Sequence, residues 1–457
     1  MTFVDLRLWP RIVVLAVPAV LAMLSQTAIN IVDTILVGRL PREVSIPGQS
    51  ALGISLPILW FLGGFLSAIS VGTQAVTARR VGENDAEGAG RALTNSLVVS
   101  MTSGVAGILV GYAAIPWIFP LFHSDPDVVR LGVDYTQLRF LGIANMAMTA
   151  SYKAFFDGLG KTHVHMIAAF AMNIVNLVVC LLLIFGLAGF PRLEVRGAGI
   201  AAVVANTVGL VVMVAMSLRA QTRRAYGLYR WSGLSKRLAG EIVRLSVPSG
   251  IATIVVMTGF LFFFRIVSEL DARAALDQPI NSAATKIIVD ILSITFMGCL
   301  AFGTATATLV SQSLGAKDPA LAEGYGWESA KIGILFFGAI GLGTFLFPDF
   351  VVGLFNEDAA VVQAARAPLR LVACIEWLIA LAMILTQALF GAGNTRFVMW
   401  VEISLHFGVL LPLAWLFGIV MDLGLVGIWV AGGVYVAALG VIMTLKFRGG
   451  SWKTIQL

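Results

Sequence analysis

Gln26, Asn30 and Asp33 stand at i, i+4 and i+7 within one long apolar stretch, so all three project from the same face of a helix. An ionisable side chain at membrane depth costs at least ~2.5 kcal/mol, which makes Asp33 a functional candidate by default. Desolvation opposes its charge, while hydrogen bonds from amides support it; a carboxyl held between the two can take up and release a proton or bind sodium. Asn173 and Asn176, with Cys180 one turn further on, and Asn206 supply more amides in two later apolar stretches. These residues predict an ion-coupling site at Asp33 with Asn30, Asn173 and Asn176, and substrate contacts from Gln26, Asp33 and Asn206. Amides alone also serve as glue between membrane helices, at ~1 kcal/mol a pair. Glue does not require a carboxylate.

The second half of the chain holds more charge: Arg265, Lys286, Asp290, Glu376, Glu402 and His406. Lys286 with Asp290, and Glu402 with His406, are spaced i, i+4, so each can neutralise itself as an internal pair. Arg265 lies near a helix end and can snorkel to the interface. Glu376 has no partner nearby in sequence. Lys286, Asp290 and Glu376 are therefore the substrate candidates of this half, and an unpaired Lys286 would favour an anion by Coulomb attraction. His406 lacks the companions of a metal site, and neither HExxH nor GxSxG occurs within an apolar stretch, which argues against an intramembrane enzyme. No filter-like loop suggests a channel. Cys180, Cys299 and Cys374 have no paired spacing and are expected to be buried small hydrophobes.

The elements that must carry these residues are membrane helices. Of 457 residues, 58% are hydrophobic and 12% charged, with a mean hydropathy of +0.91; soluble chains carry about 25% charge. Apolar runs of 20 or more residues suit ~30 Å of hydrocarbon. They are continuous and never alternate, which excludes a barrel. Breakers place twelve spans near 12–38, 50–78, 92–120, 129–157, 164–190, 197–219, 240–270, 281–313, 328–355, 361–390, 396–420 and 424–446. The first is too long for a signal core. Arg219, Arg223, Arg224, Arg230, Lys236, Arg237 and Arg244 crowd the loop after span six, which with both termini is predicted to be cytoplasmic. The acidic HSDPD loop lies opposite; Arg39, Arg42, Arg192 and Arg196 break the rule. The net charge of +6 thus reflects helix ends rather than nucleic-acid binding.

The halves repeat. Gly82 in ARRVGENDAEG and Gly315 in SQSLGAKDPA differ by 233 (315 − 82), and GLGKT from Gly158 and GAGNT from Gly391 share that offset, while Pro18 and Pro248 differ by 230. Gly ends many helices, but chance does not repeat a register. Six spans per copy make the repeats parallel, about an axis along the membrane normal. The predicted organisation is an all-α membrane protein of two pseudo-symmetric six-helix lobes, 1–220 and 240–457, joined by a linker at 221–239.

The stretches NIVDTILVGRL, TARRVGENDAEGA, GLGKT, GAGNT and TFMGCLAFGTATATLVSQSLGA, taken in order, resemble the multidrug and toxic compound extrusion (MATE) family, particularly its DinF-like branch. The resemblance covers essentially the whole chain. It implies a V-shaped twelve-helix fold of the MOP superfamily, without a cofactor, exporting organic and often cationic compounds in exchange for protons or sodium. Asp33 falls on the family's first-span acid, and Gln26 and Asn176 on polar positions of the same cavity. Two departures bear on coupling: a second acid that many members carry in span five is Cys180 here, and another branch's span-seven glutamate is Val256. A proton is then the simpler coupling ion, with sodium the alternative, and the expected protein is an antiporter of the inner membrane, monomeric and in contact with lipid and a small-molecule substrate. Its rival is a flippase or exporter of a lipid-linked saccharide or an organic anion.

Overall fold

In a computed structural model, residues 5–122, 125–274, 279–356 and 358–457 are described; they are helical almost throughout and contain no strand. His123 and Ser124 of the HSDPD loop lie outside them. Eleven helices among the described residues are long and apolar enough to cross a membrane, so the chain is a multi-pass membrane protein.

The first half comprises α1 (Trp9–Gly38), α2 (Arg42–Ser67), α3 (Ile69–Gly82), α4 (Ala86–Ile118), α5 (Pro126–Leu141), α6 (Ile143–Gly158), α7 (Thr162–Phe185), α8 (Glu194–Leu218) and the short α9 (Ala220–Ala225). The second comprises α10 (Lys236–Ala274), α11 (Ile280–Gly315), α12 (Pro319–Leu346), α13 (Pro348–Gly353), α14 (Ala359–Gly391), α15 (Thr395–Leu405), α16 (Leu411–Trp415) and α17 (Gly424–Arg448). Eleven candidates stand where twelve spans are predicted, and the one not among them is span four. There α5 and α6, of 16 residues each, meet at Gly142.

The repeat is written into the turns. Asn84 and Lys317 both hold positive φ, as do Gly160 and Gly393. Asp85 then caps α4 by accepting from the Gly88 amide, and Asp318 caps α12 by accepting from that of Leu321. Each pair keeps the 233-residue register, and a side-chain cap of this kind is worth about 1 kcal/mol.

Packing gathers the chain into two compact units. One holds Val17–Thr253 with Gly315–Lys317 and Leu457; the other holds Met1–Ala16, Ile254–Leu314 and Asp318–Gln456. These units change over inside α1 and α10, whereas the lobes read from sequence change over at the linker. Polar contacts explain the first crossing: Trp9 Nε1 donates to Glu328 Oε2 at 2.9 Å, and Arg11 Nη2 to Gln312 Oε1 at 3.1 Å. The second follows from close approach, since a Cβ on Gly72 of α3 would lie 2.4 Å from the Ile242 carbonyl oxygen of α10. Nor does the linker hang free. Asn95 Nδ2 donates to the Gly233 carbonyl at 2.9 Å, and the Ser235 amide donates to Asn95 Oδ1 at 2.9 Å. Leu228 is buried, beside Tyr152 and Phe155 of α6.

Buried hydroxyls tie the first unit together. Ser96 of α4 donates to Ser151 of α6 at 2.7 Å, with Thr73 of α3 at 2.6 Å from Ser96 and Ser100 at 2.6 Å from Ser151. Such bonds give membrane helices the orientation that lipid, as apolar as leucine, does not.

Candidate ion-coupling site

Asp33 lies on α1 with only 6% of its surface exposed. Its α1 neighbours Leu36, Val37 and Leu40 belong to one buried apolar cluster with Tyr135 of α5, Cys180 and Ile184 of α7 and Val195 of α8. Residues i and i+4 share a helix face, and α7 uses that spacing to aim two groups at it. Asn176 Nδ2 donates to Asp33 Oδ2 at 3.2 Å. Cys180 Sγ stands 3.4 Å from Asp33 Oδ1 and 3.0 Å from Asn176 Oδ1. A thiol has one hydrogen, so it serves one of these oxygens at a time. The three side chains form a closed ring of one carboxyl, one amide and one thiol.

A close helix pair sets this geometry. A Cβ on Gly197 of α8 would lie 2.8 Å from the carbonyl carbon and oxygen of Leu183 on α7. Glycine there brings the two backbones together and fixes the azimuth of Asn176 and Cys180.

The structure brings Asp33 and Asn176 together from the predicted set. Asn173, one turn back on α7, is half-buried, as are Gln26 on α1 and Asn206 on α8; the hydrogen bonds that reach Asp33 come from Asn176 and Cys180. The Asn30 side chain lies outside the described residues. Two contributors were passed over in the sequence. Cys180 is a donor rather than packing, and Arg139 of α5 is held against Tyr135, a member of the apolar cluster that also contains Cys180. Arg139 Nη1 donates to the Tyr135 hydroxyl at 2.9 Å, and its guanidinium lies 5.7 Å from that ring's centroid. The signal was present: Arg139 is an ionisable residue inside predicted span four, as are Lys153 and Asp157, whose ammonium and carboxylate meet at 2.6 Å in α6.

In the other unit, Lys286 Nζ contacts both Asp290 oxygens at 2.5 Å, and the pair is largely exposed. The unpaired Lys286 that an anion-selective site would need is not what the structure holds. Glu376 of α14 is buried, with Thr295 Oγ1 of α11 donating to its Oε1 at 3.3 Å and, among the described residues, no hydrogen-bond partner for Oε2. Cys180 and Cys299 are buried, but Cys374 is exposed, which corrects the expectation for it. It shares the outer face of α14 with Trp377, while Val372, Ala373 and Glu376 turn inward.

This is the fold of the MOP-superfamily transporters. A solved outward-facing multidrug resistance MATE family transporter superposes with a TM-score of 0.88 at 21% identity, over 98% of this chain and 96% of that one. A MOP superfamily transporter from Pyrococcus furiosus gives the same values, and the Vibrio cholerae MATE transporter VcmN gives 0.87 at 18% identity over 98% and 99%. Residues 18–182 and 248–416 each match MatE, and the chain belongs to this family of membrane transporters; it is not an enzyme. The two matches begin at Pro18 and Pro248, the landmarks of the repeat. Similar curated proteins include the probable multidrug resistance protein NorM of Thermotoga maritima, 25% identical over 97% of this chain and 93% of that one. The multidrug resistance protein PmpM of Pseudomonas aeruginosa is also 25% identical, over 96% and 90%.

Proposed function

We propose that this transporter is a multidrug efflux antiporter that exports organic cationic or amphipathic compounds in exchange for protons by alternating access. The observation that carries the reading is the enclosed Asp33 carboxyl, met by one amide donor and one thiol donor. Both donors support its ionised form, and loss of that charge removes the electrostatic demand that holds α1 against α7. The names of the NorM and PmpM relatives support drugs as the cargo class. Gln26, Asp33, Asn206, Lys286, Asp290 and Glu376 are the side chains assigned to cargo.

The choice of proton over sodium rests on Cys180. A second carboxylate at that position would build a doubly negative, oxygen-rich nest for a hard cation, which prefers oxygen ligands in number. A thiol supplies a donor instead and leaves one negative charge, the arrangement that one proton neutralises. The basic loop after α8 supports an inner-membrane orientation with both termini cytoplasmic, and a monomer is sufficient because each chain carries both repeats.

Proteoliposomes loaded with a cationic dye test this directly. A pH gradient should drive dye movement in the wild type, and Asp33→Asn should reduce it to the empty-liposome level while the protein remains monodisperse. Drive by a sodium gradient alone, or wild-type rates in Asp33→Asn, would reject the proposal.

A further inference from the structure

Glu402 and His406 have no part in the site above, yet both are buried. The His406 Nδ1 atom is 3.0 Å from the Glu402 backbone carbonyl oxygen and 3.2 Å from Glu402 Oε2. A carbonyl can only accept, so Nδ1 carries the hydrogen and Nε2 is the ring atom left to gain or lose one. From α17, the Tyr435 hydroxyl donates to Glu402 Oε2 at 2.9 Å, and its ring meets the imidazole edge-on with centroids 4.6 Å apart. From α10, Gly259 closes the remaining side: a Cβ there would lie 2.5 Å from His406 Cδ2.

The helix that bears the pair is distorted at the same place. A π turn runs His406–Leu410 and a second Leu416–Val420, on either side of α16. Pro412 in α16 lacks the amide that would continue the α ladder. Such wide turns are uncommon and concentrate at functional sites. A buried ion pair alone adds little stability, because desolvation offsets its attraction, so the distortion and the phenol are not needed merely to hold a salt bridge.

Among the described residues, the other charges of the neighbouring helices lie away from this cluster. On α10, Arg265 is exposed, on a different face from buried Gly259 and Phe263. On α14, Glu376 turns to Thr295 of α11 and lies against Gly341 of α12. The charges of α17, Lys446 and Arg448, sit in its last turn, roughly 16 Å beyond Tyr435 at ~1.5 Å per residue.

The geometry points to Glu402, His406 and Tyr435 as a second proton-binding site, in the carboxy-terminal compact unit and separate from Asp33. With the ring neutral and the carboxylate ionised, the enclosure bears a net negative charge. A proton arriving at Nε2 forms an imidazolium whose Nδ1–H makes a charge-assisted bond to Oε2, and the net charge becomes zero. The site deepens the antiporter reading and rests on it only for the use made of the proton.

The test is a titration of the full-length protein, labelled with nitrogen-15 in its histidine rings and held in nanodiscs. The His406 resonances are assigned by their loss in His406→Gln. They should move as pH is varied, reporting a proton gained or lost at the ring or at the carboxyl it touches. Tyr435→Phe keeps the ring contact but removes a donor to the carboxylate, and should move the midpoint upward by about one unit. Flat His406 resonances, or a Tyr435→Phe midpoint equal to that of the wild type, would overturn the site. Proton-driven transport is measured in parallel: if it fails while His406 titrates, the antiporter reading falls and the second site stands.

Discussion

The replacement of a possible acid by Cys180 decides what Asp33 can do. A thiol gives a weak hydrogen bond, so its removal is tolerable: Cys180→Ala should transport, with the pH midpoint of dye efflux moved upward by less than about one unit because one donor to the carboxylate is lost. A pH profile of proteoliposome efflux measures this, and an unchanged profile would mean that the thiol plays no part in the proton site. Asp33 was legible in the sequence because hydrocarbon penalises charge by several times what it penalises an amide. The thiol was not, because a cysteine in an apolar run reads as packing until a neighbour's lone pair is located. Arg139, inside predicted span four, is legible as an ionisable residue in an apolar run, but its partner Tyr135 is not, because that bond depends on the fold of α5.

At the level of elements, the site depends on how close α7 and α8 come. A methyl on Gly197 would collide with backbone of Leu183 and Ile184, and backbone does not rotate out of the way as a side chain can. Gly197→Ala should therefore push the helices apart and destabilise the protein by about 1–3 kcal/mol, read as a lower melting temperature in detergent together with weaker proton coupling. An unchanged melting temperature would contradict the close approach. The helices themselves followed from hydropathy, and their ends from glycines and caps in a shared register. What hydropathy does not encode is interruption within a span. The two π turns leave the apolar pattern intact, since each alters the hydrogen-bond ladder and not the composition.

At the level of the molecule, the repeat is visible in sequence, but the boundaries of the packed units are not, because they depend on which helix ends lie side by side. The start of α10, through Ile242, Leu245 and Ser246, belongs to the first unit, with Ser246 Oγ 3.5 Å from the Ile69 carbonyl. A fragment of residues 17–253 should accordingly be more monodisperse by fluorescence-detected size exclusion than one of residues 17–235, which ends before these contacts. Equal behaviour would place the structural boundary at the linker. Asn95 bears on the same part of the chain. Its amide grips the backbone on both sides of Leu234, two residues before α10 starts, so the join between the repeats has almost no slack. A rigid bearing at that point leaves α10 unable to swing from its base. Strain sent along it must be relieved partway up, and the softest rung is at Pro248, where the carbonyl of Arg244 faces a ring that has no hydrogen to offer.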